Sequence, residues 1–297
     1  TGPHLRQFLP WEMTEATEQT MKRIERVLEA CRQTGLAHIL ETGAAASLEA
    51  GGLLRRGFGK PHEVRYKGDI DLVTEADLAS EQTIKTIIEQ SESHAAILAE
   101  ESGAGYGRIP AGPLWIIDPL DGTTNFAHGY PWFGISIAYA HGDEVLVGVV
   151  YCPMQDELFC ACRNCGAWLN GRPASTSEAQ TLARSLVATG FPYDVHEAPR
   201  KVLEALEAVL TKAQGVRRAG AAALDLAHVA CGRLDGFWEI KLKPWDTAAG
   251  KLLVEEAGGR VSDFQGALYS PFLKEIVATN TFIHEELVAL LKGFGER

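Results

Sequence analysis

Asp118-Pro119-Leu120-Asp121-Gly122-Thr123-Thr124-Asn125-Phe126 follows directly on the apolar run Leu114-Trp115-Ile116-Ile117. The run predicts a short buried strand. At its end two carboxylates stand three positions apart, a proline fixes the turn between them, and a glycine and two hydroxyl residues follow. Asp118 and Asp121 can therefore point into one space while the amides after Asp121 open a helix. Carboxylates hold hard cations through oxygen, and helix-opening amides hold an anion. A magnesium-bound phosphate requires both.

Three other acidic segments are candidates for the same space. Glu100-Glu101 ends the apolar run Ala95–Ala99; alone it reads as solvated charge, but its strand is expected beside the 114–117 strand. Trp245-Asp246-Thr247-Ala248-Ala249-Gly250 puts an acid before a helix of small residues. Asp246 alone would be a plain N-cap, but the small residues suggest close packing beneath a site. In Gly68-Asp69-Ile70-Asp71-Leu72-Val73-Thr74-Glu75-Ala76-Asp77, Thr74 caps a helix with Asp77 in its first turn, and Asp71 and Asp77 flank an apolar triplet.

Periodicity places further helices over 14–33, 36–57, 197–210, 221–230, 246–257 and 283–292, with the Thr74-capped helix running to about Gln90. Strands are expected over 95–99, 114–117, 133–140, 144–151, 157–161, 185–189 and 236–240, at Val261, and over 276–279. Helices and strands mix along the whole chain, which predicts a layered α/β or α+β architecture. Residues 1–297 read as a single domain, or as two α/β halves sharing one core with a joint near 172–180, where Pro, Ser and Thr cluster. Residues 1–13 read as an N-terminal extension or an expression remnant.

Composition narrows the function classes. The 297 residues are 46% hydrophobic and 23% charged, which fits a globular protein with a sizeable core. No apolar run approaches the ~20 residues that span a bilayer, and no secretory signal pattern opens the chain. A net charge of −11 argues against nucleic-acid binding, which needs clustered Lys and Arg. Six cysteines without a disulfide framework indicate a reducing, cytoplasmic setting. Cys160, Cys162 and Cys165 read as a strand end; the other reading, a zinc site, lacks a fourth ligand nearby. The glycines at 57–59 and 103–107 lack the strand–glycine–helix context of a dinucleotide site.

In order and wording, the acidic segments resemble the inositol monophosphatase family, over roughly residues 36–292. The matching pieces are Asp71–Thr74 with Asp77, Leu98–Ser102, Trp115–Phe126 and Trp245–Gly250, and residues 217–239 look like bacterial members. The resemblance implies an αβαβα sandwich, usually dimeric, that hydrolyses a phosphate monoester with two or three Mg²⁺ ions. It implies Glu100, Asp118, the Leu120 carbonyl and the Thr123 hydroxyl as ligands of one ion. Asp118, Asp121 and Asp246 would hold a second, and Glu100 a more hydrated third. Asp77 would orient the nucleophilic water through Thr123. The amides of Gly122 and Thr123 would cradle the phosphate, and Ala222, Glu239, Asp121 and Asp246 would meet the inositol ring. Lys67 and Asp71 would lie in a mobile loop over the site. Lithium inhibition is expected on the same ground.

The chain departs from many relatives at Ala221, where a Ser or Thr is common. The metal motifs do not separate inositol monophosphate from fructose 1,6-bisphosphate, histidinol phosphate or 3′-phosphoadenosine 5′-phosphate. Glu239 tilts the choice toward a polyol, since a carboxylate accepts bonds from ring hydroxyls and repels a second phosphate. Some bacterial relatives also bind the transcription or ribosomal-RNA machinery, which leaves an interaction role as the alternative of another class. The acidic charge offers it no basic stripe.

Overall fold

The computed structural model describes residues 21–22, 24–60, 64–66, 72–91, 94–103, 112–197 and 199–295, apart from the side chains of 64–66, 72 and 73. The expected extension at 1–13, the start of the 14–33 helix, and Lys67 and Asp71 of the expected mobile loop lie outside the described residues.

Along the chain, α1 (Glu25–Cys31) and α2 (Ala37–Gly57) lead to a short antiparallel pair, β1 (Val64–Tyr66) with β2 (Leu72–Thr74), and then to α3 (Glu75–Ser91). A seven-stranded sheet follows: β3 (Ala96–Ala99), β4 (Pro113–Asp121), then after α4 (Thr123–Ala127) the strands β5 (Gly134–His141), β6 (Glu144–Cys152), β7 (Glu157–Cys162), β8 (Ala167–Leu169) and β9 (Arg172–Ala174). The second half holds β10 (Leu186–Thr189), α5 (Pro199–Leu210), β11 (Gly215–Arg217), α6 (Ala222–Ala230), β12 (Gly236–Ile240), α7 (Pro244–Glu256), β13 (Arg260–Ser262), β14 (Glu275–Thr279) and α8 (His284–Leu291). Its five strands pair in the order β11-β10-β12-β14-β13.

Side-chain alternation sorts the layers. On β4, Trp115 and Ile117 face the core beneath α2 and α3, while Leu114 and Ile116 face the core that holds α6 and α7. On β12, Phe237 joins that central core and Trp238 the outer one with α5 and α8. The order α2/α3, sheet, α6/α7, sheet, α5/α8 is an αβαβα sandwich. The central core draws on both sheets, with Ile116 and Ala138 on one side and Ala188 and Ile276 on the other. Ala248 and Ala249 of α7 are fully buried in it, as the run of small residues predicts.

Two local readings change. The expected turn at Pro119 is a bulge inside β4. Asp118 pairs with Ser136 and Asp121 with Gly134, so three steps on β4 oppose two on β5. A proline fits there, because a bulge interrupts the ladder that its missing N–H could not join. The 246–257 helix begins earlier, with Pro244 in its first turn and Lys243 as N-cap. The three-residue strands β8, β9 and β11 carry too little pattern to be read from sequence.

Candidate active site

One cavity of about 590 Å³ opens where the two sheets and α6 and α7 meet. Glu100, Asp118, Leu120, Asp121, Gly122, Thr123, Ala222, Glu239 and Asp246 all line it. Parallel pairing of β3 with β4 brings Glu100 to Asp118: Ala99 is in register with Ile117, and the Glu100 N–H donates to the Ile117 carbonyl at 3.1 Å. The bulge then turns the backbone so that the Leu120 N–H donates to Asp118 Oδ1 at 3.0 Å. Asp121 reaches across to α6, where its Oδ2 accepts the Ala223 N–H at 2.8 Å. Asp246 is the third helical residue of α7, and its Oδ2 accepts the Lys243 N–H at 2.6 Å. It therefore both takes the N-cap amide of α7 and lines the cavity.

Asp77 stands behind this group, fully buried. Its Oδ2 accepts the Thr74 N–H at 2.8 Å and the Thr74 hydroxyl at 2.6 Å. Its Oδ1 accepts the Thr123 hydroxyl at 2.9 Å, and that hydroxyl also lies 3.0 Å from the Leu120 carbonyl. Gly122 makes the turn into α4 with a left-handed φ of 94°. A Cβ there would stand 3.1 Å from the Trp132 carbonyl and 3.2 Å from that of Gly220, so both conformation and space require glycine.

The electrostatics are those of crowded acids. Burial pushes Asp118 well above the usual carboxylate range, and the charges of Glu100, Asp121 and Asp246 add to it. Burial likewise lifts Asp121 to about 7, against the lowering effect of the Ala223 amide, with Glu100 adding repulsion. Such a set of oxygens fits a hard divalent cation, which would remove the repulsion. Among the described residues, no three His, Cys, Asp or Glu side chains are already gathered to hold one ion. Amide bonds at Asp118, Asp121 and Asp246 hold one oxygen of each toward the backbone.

On the opposite wall, Glu239 of β12 is buried and lies against the backbone of Gly190. Sequence reading passed over three residues nearby. Asn125 Nδ2 donates to the Trp132 carbonyl at 2.7 Å and the Ala219 carbonyl at 2.9 Å, tying the motif to the connection between β11 and α6. Arg218 lines the cavity and lies over the Phe191 ring at 5.2 Å. Asp225 of α6 lines it as well. Asn125 carried a signal in its motif, and Arg218 and Asp225 only in lying within the 217–239 segment.

The cysteine cluster gains a neighbour: the Cys31 thiol of α1 contacts those of Cys162 and Cys165, and burial pushes Cys160 and Cys165 up. The absence of a ready metal group among the described residues covers these thiols too. His128 is exposed and outside the cavity lining.

Comparison with known proteins gives a consistent result. A profile of the inositol monophosphatase family matches residues 36–295. An inositol-1-monophosphatase of Synechocystis sp. is 46% identical over 249 residues, covering 84% of this chain and 86% of its own. A protein named Nus factor SuhB from Escherichia coli K12 is 41% identical over 256 residues, covering 86% and 96%. The solved structure of an inositol monophosphatase from Anabaena (Nostoc) sp. superposes with a TM-score of 0.79 at 42% identity, over 88% of this chain and 97% of that one. No helix among the described residues is long and apolar enough to cross a membrane.

Proposed function

The chain belongs to the inositol monophosphatase family, and from that premise we propose that it is a magnesium-dependent phosphatase whose substrate is a polyol monophosphate, myo-inositol monophosphate first. The carrying observation is the meeting of Glu100, Asp118, Asp121 and Asp246 at one cavity with the Leu120 carbonyl and the Thr123 hydroxyl. Glu100, Asp118, Asp121 and Asp246, with those two oxygens, would hold the ions. Bound magnesium supplies an acidified water and neutralises charge on the ester.

The chain's own residues do the rest. Asp77 fixes the Thr123 hydroxyl through Oδ1, so that Thr123 Oγ1 can accept a hydrogen bond from the attacking water. Glycine at 122 lets the backbone come close to the phosphate. Glu239 and Ala222 face the alcohol. Water oxygen adds at phosphorus, the bond between phosphorus and the alcohol oxygen breaks, and of the water's two protons one ends on the departing alcohol and the other stays with the phosphate.

Turnover of myo-inositol 1-phosphate, fructose 1,6-bisphosphate, histidinol phosphate and 3′-phosphoadenosine 5′-phosphate, measured in parallel with Mg²⁺, tests the reading. The inositol ester is expected to lead; preference for the bisphosphate removes it. Lithium is expected to inhibit, and a homodimer in the cytoplasm is the expected working form. The relatives named Nus factor favour a second, additional role in transcription. Pull-down with and without Mg²⁺ tests it, and the net charge of −11 weighs against direct contact with nucleic acid.

A further inference from the structure

Asp225 has no part in the roles above, yet its position is unusual. It lies in the first turn of α6, three residues after Ala222, and is only 2% exposed. Its N–H is taken by the Ala221 carbonyl at 3.0 Å. Its carboxyl makes no hydrogen bond or ion pair with any described residue, and the surface it keeps belongs to the cavity. An acid in the first turn of a helix ordinarily serves the dipole from the protein surface. A buried carboxyl without a partner costs free energy unless something supplies the missing bonds.

Glu239 is in the same condition. It is 8% exposed, lines the same wall, and its carboxyl has no hydrogen bond among the described residues. Glu239 feels the charge of Asp225, both acids feel that of Asp121, and Arg218 offsets part of both. The wall therefore offers two carboxyl groups, from α6 and from β12, with their bonding capacity unspent. A hydroxyl both donates and accepts, so it can satisfy a carboxyl in either protonation state. A ring bearing neighbouring hydroxyls presents two such groups together.

Resting on the polyol reading of the site, we propose that Asp225 is a specificity-determining residue, which beside Glu239 binds a second hydroxyl of the leaving alcohol. The selected class is then a polyol monophosphate with at least two free hydroxyls near the ester. An alcohol with none leaves both acids buried and unpaired.

The test compares myo-inositol 1-phosphate with cyclohexyl phosphate, the same ring without hydroxyls, in the full-length enzyme with Mg²⁺. The ratio of the two kcat/KM values is measured for wild type, Asp225→Ala and Asp225→Asn. The expected result is a fall in that ratio of about 10- to 100-fold for Asp225→Ala, expressed mainly in KM, with a smaller fall for Asp225→Asn, which keeps a hydrogen-bonding amide. An unchanged ratio, with both esters affected equally or neither affected, overturns the proposal and leaves the phosphatase reading intact. Should the wild type hydrolyse neither ester, the polyol reading fails and this one falls with it. If Asp225→Ala does not fold, the isosteric Asp225→Asn and a series of deoxy-inositol phosphates on wild type decide. One hydroxyl whose removal costs wild type about tenfold but costs Asp225→Asn clearly less supports the contact; equal cost in both overturns it.

Discussion

On the seven-stranded side of the cavity, Asp77, Asp118 and Asp121 each have an oxygen tied to an amide or hydroxyl of the protein. On the five-stranded side, Asp225 and Glu239 have carboxyls tied to no described residue. The first arrangement fixes oxygen positions before anything binds, which suits the part of the reaction common to all esters. The second leaves bonding capacity for the part that differs between alcohols. The comparison divides the cavity into a chemical end and a selective end, and variants at each end should fail differently.

The largest effect is expected at the chemical end. Asp118 is a proposed ligand of two ions, so Asp118→Asn should lower kcat by about 10³-fold or more, equally for inositol and cyclohexyl esters. Circular dichroism should be unchanged, since the amide keeps an oxygen for the Leu120 N–H. An equal loss on both esters supports the division, and a loss confined to the inositol ester breaks it.

Next in size is a stability effect. Asp121 is raised to about 7, against about 3.9 for an unfolded aspartate. Between these values the folded chain holds a proton that the unfolded chain has released, so this residue's contribution is present below pH ~4 and lost as pH rises toward 7. His284 acts in the opposite direction. Buried between the Thr279 and Ser262 hydroxyls, it is lowered to about 4, so its contribution is lost as pH falls from about 6.5 to 4. Comparing wild type with Asp121→Asn in EDTA separates the two. The variant's advantage in Tm should grow from pH 4 to 7. Mg²⁺ at about 100 times its Kd should then raise wild type by about 2.7 kcal/mol and the variant by less. A difference flat in pH would refute the crowding of acids as its cause.

A smaller effect belongs to the selective end. A Cβ at Gly190 would overlap the Glu239 carboxylate, so Gly190→Ala must displace that acid. The expected result is a rise of about tenfold in KM for the inositol ester, with a smaller change for cyclohexyl phosphate. Equal changes on both esters would place Glu239 with the chemical end instead.

What was legible in the sequence follows the same division. The chemical end lies in short segments whose residue order announces them: Glu100 closes an apolar run, and Asp118 and Asp121 flank Pro119. Parallel pairing of β3 and β4 does the rest locally. The layered architecture was legible too, because helices and strands mix along the whole chain, while the αβαβα order came only with the family resemblance. The bulge at Pro119 was not, since a proline after an apolar run reads equally as a turn. Asp225 was not, because an acid in a first helical turn has an ordinary explanation. Its burial depends on where α6 meets β4 and β12, a tertiary fact that spacing does not carry.

The smallest effect concerns Ala221, the N-cap of α6, with extended φ and ψ of −147° and 97° and no side-chain cap. That geometry is the one in which a serine hydroxyl accepts an N–H of the first turn. One of those amides, Ala223, is already given to Asp121, so a new hydroxyl would either cap a different amide or compete with the carboxylate. The two outcomes are separable. If it caps, Ala221→Ser should gain about 1 kcal/mol, a rise of a few degrees in Tm, with kcat unchanged for both esters. If it competes, Asp121 loses its anchor, and kcat should fall for both esters with no gain in Tm. The first outcome would mean that the chemical end keeps its cross-sheet tie independently of the cap. The second would mean that alanine at 221 protects the bond between Ala223 and Asp121, through which the selective wall holds the chemical one.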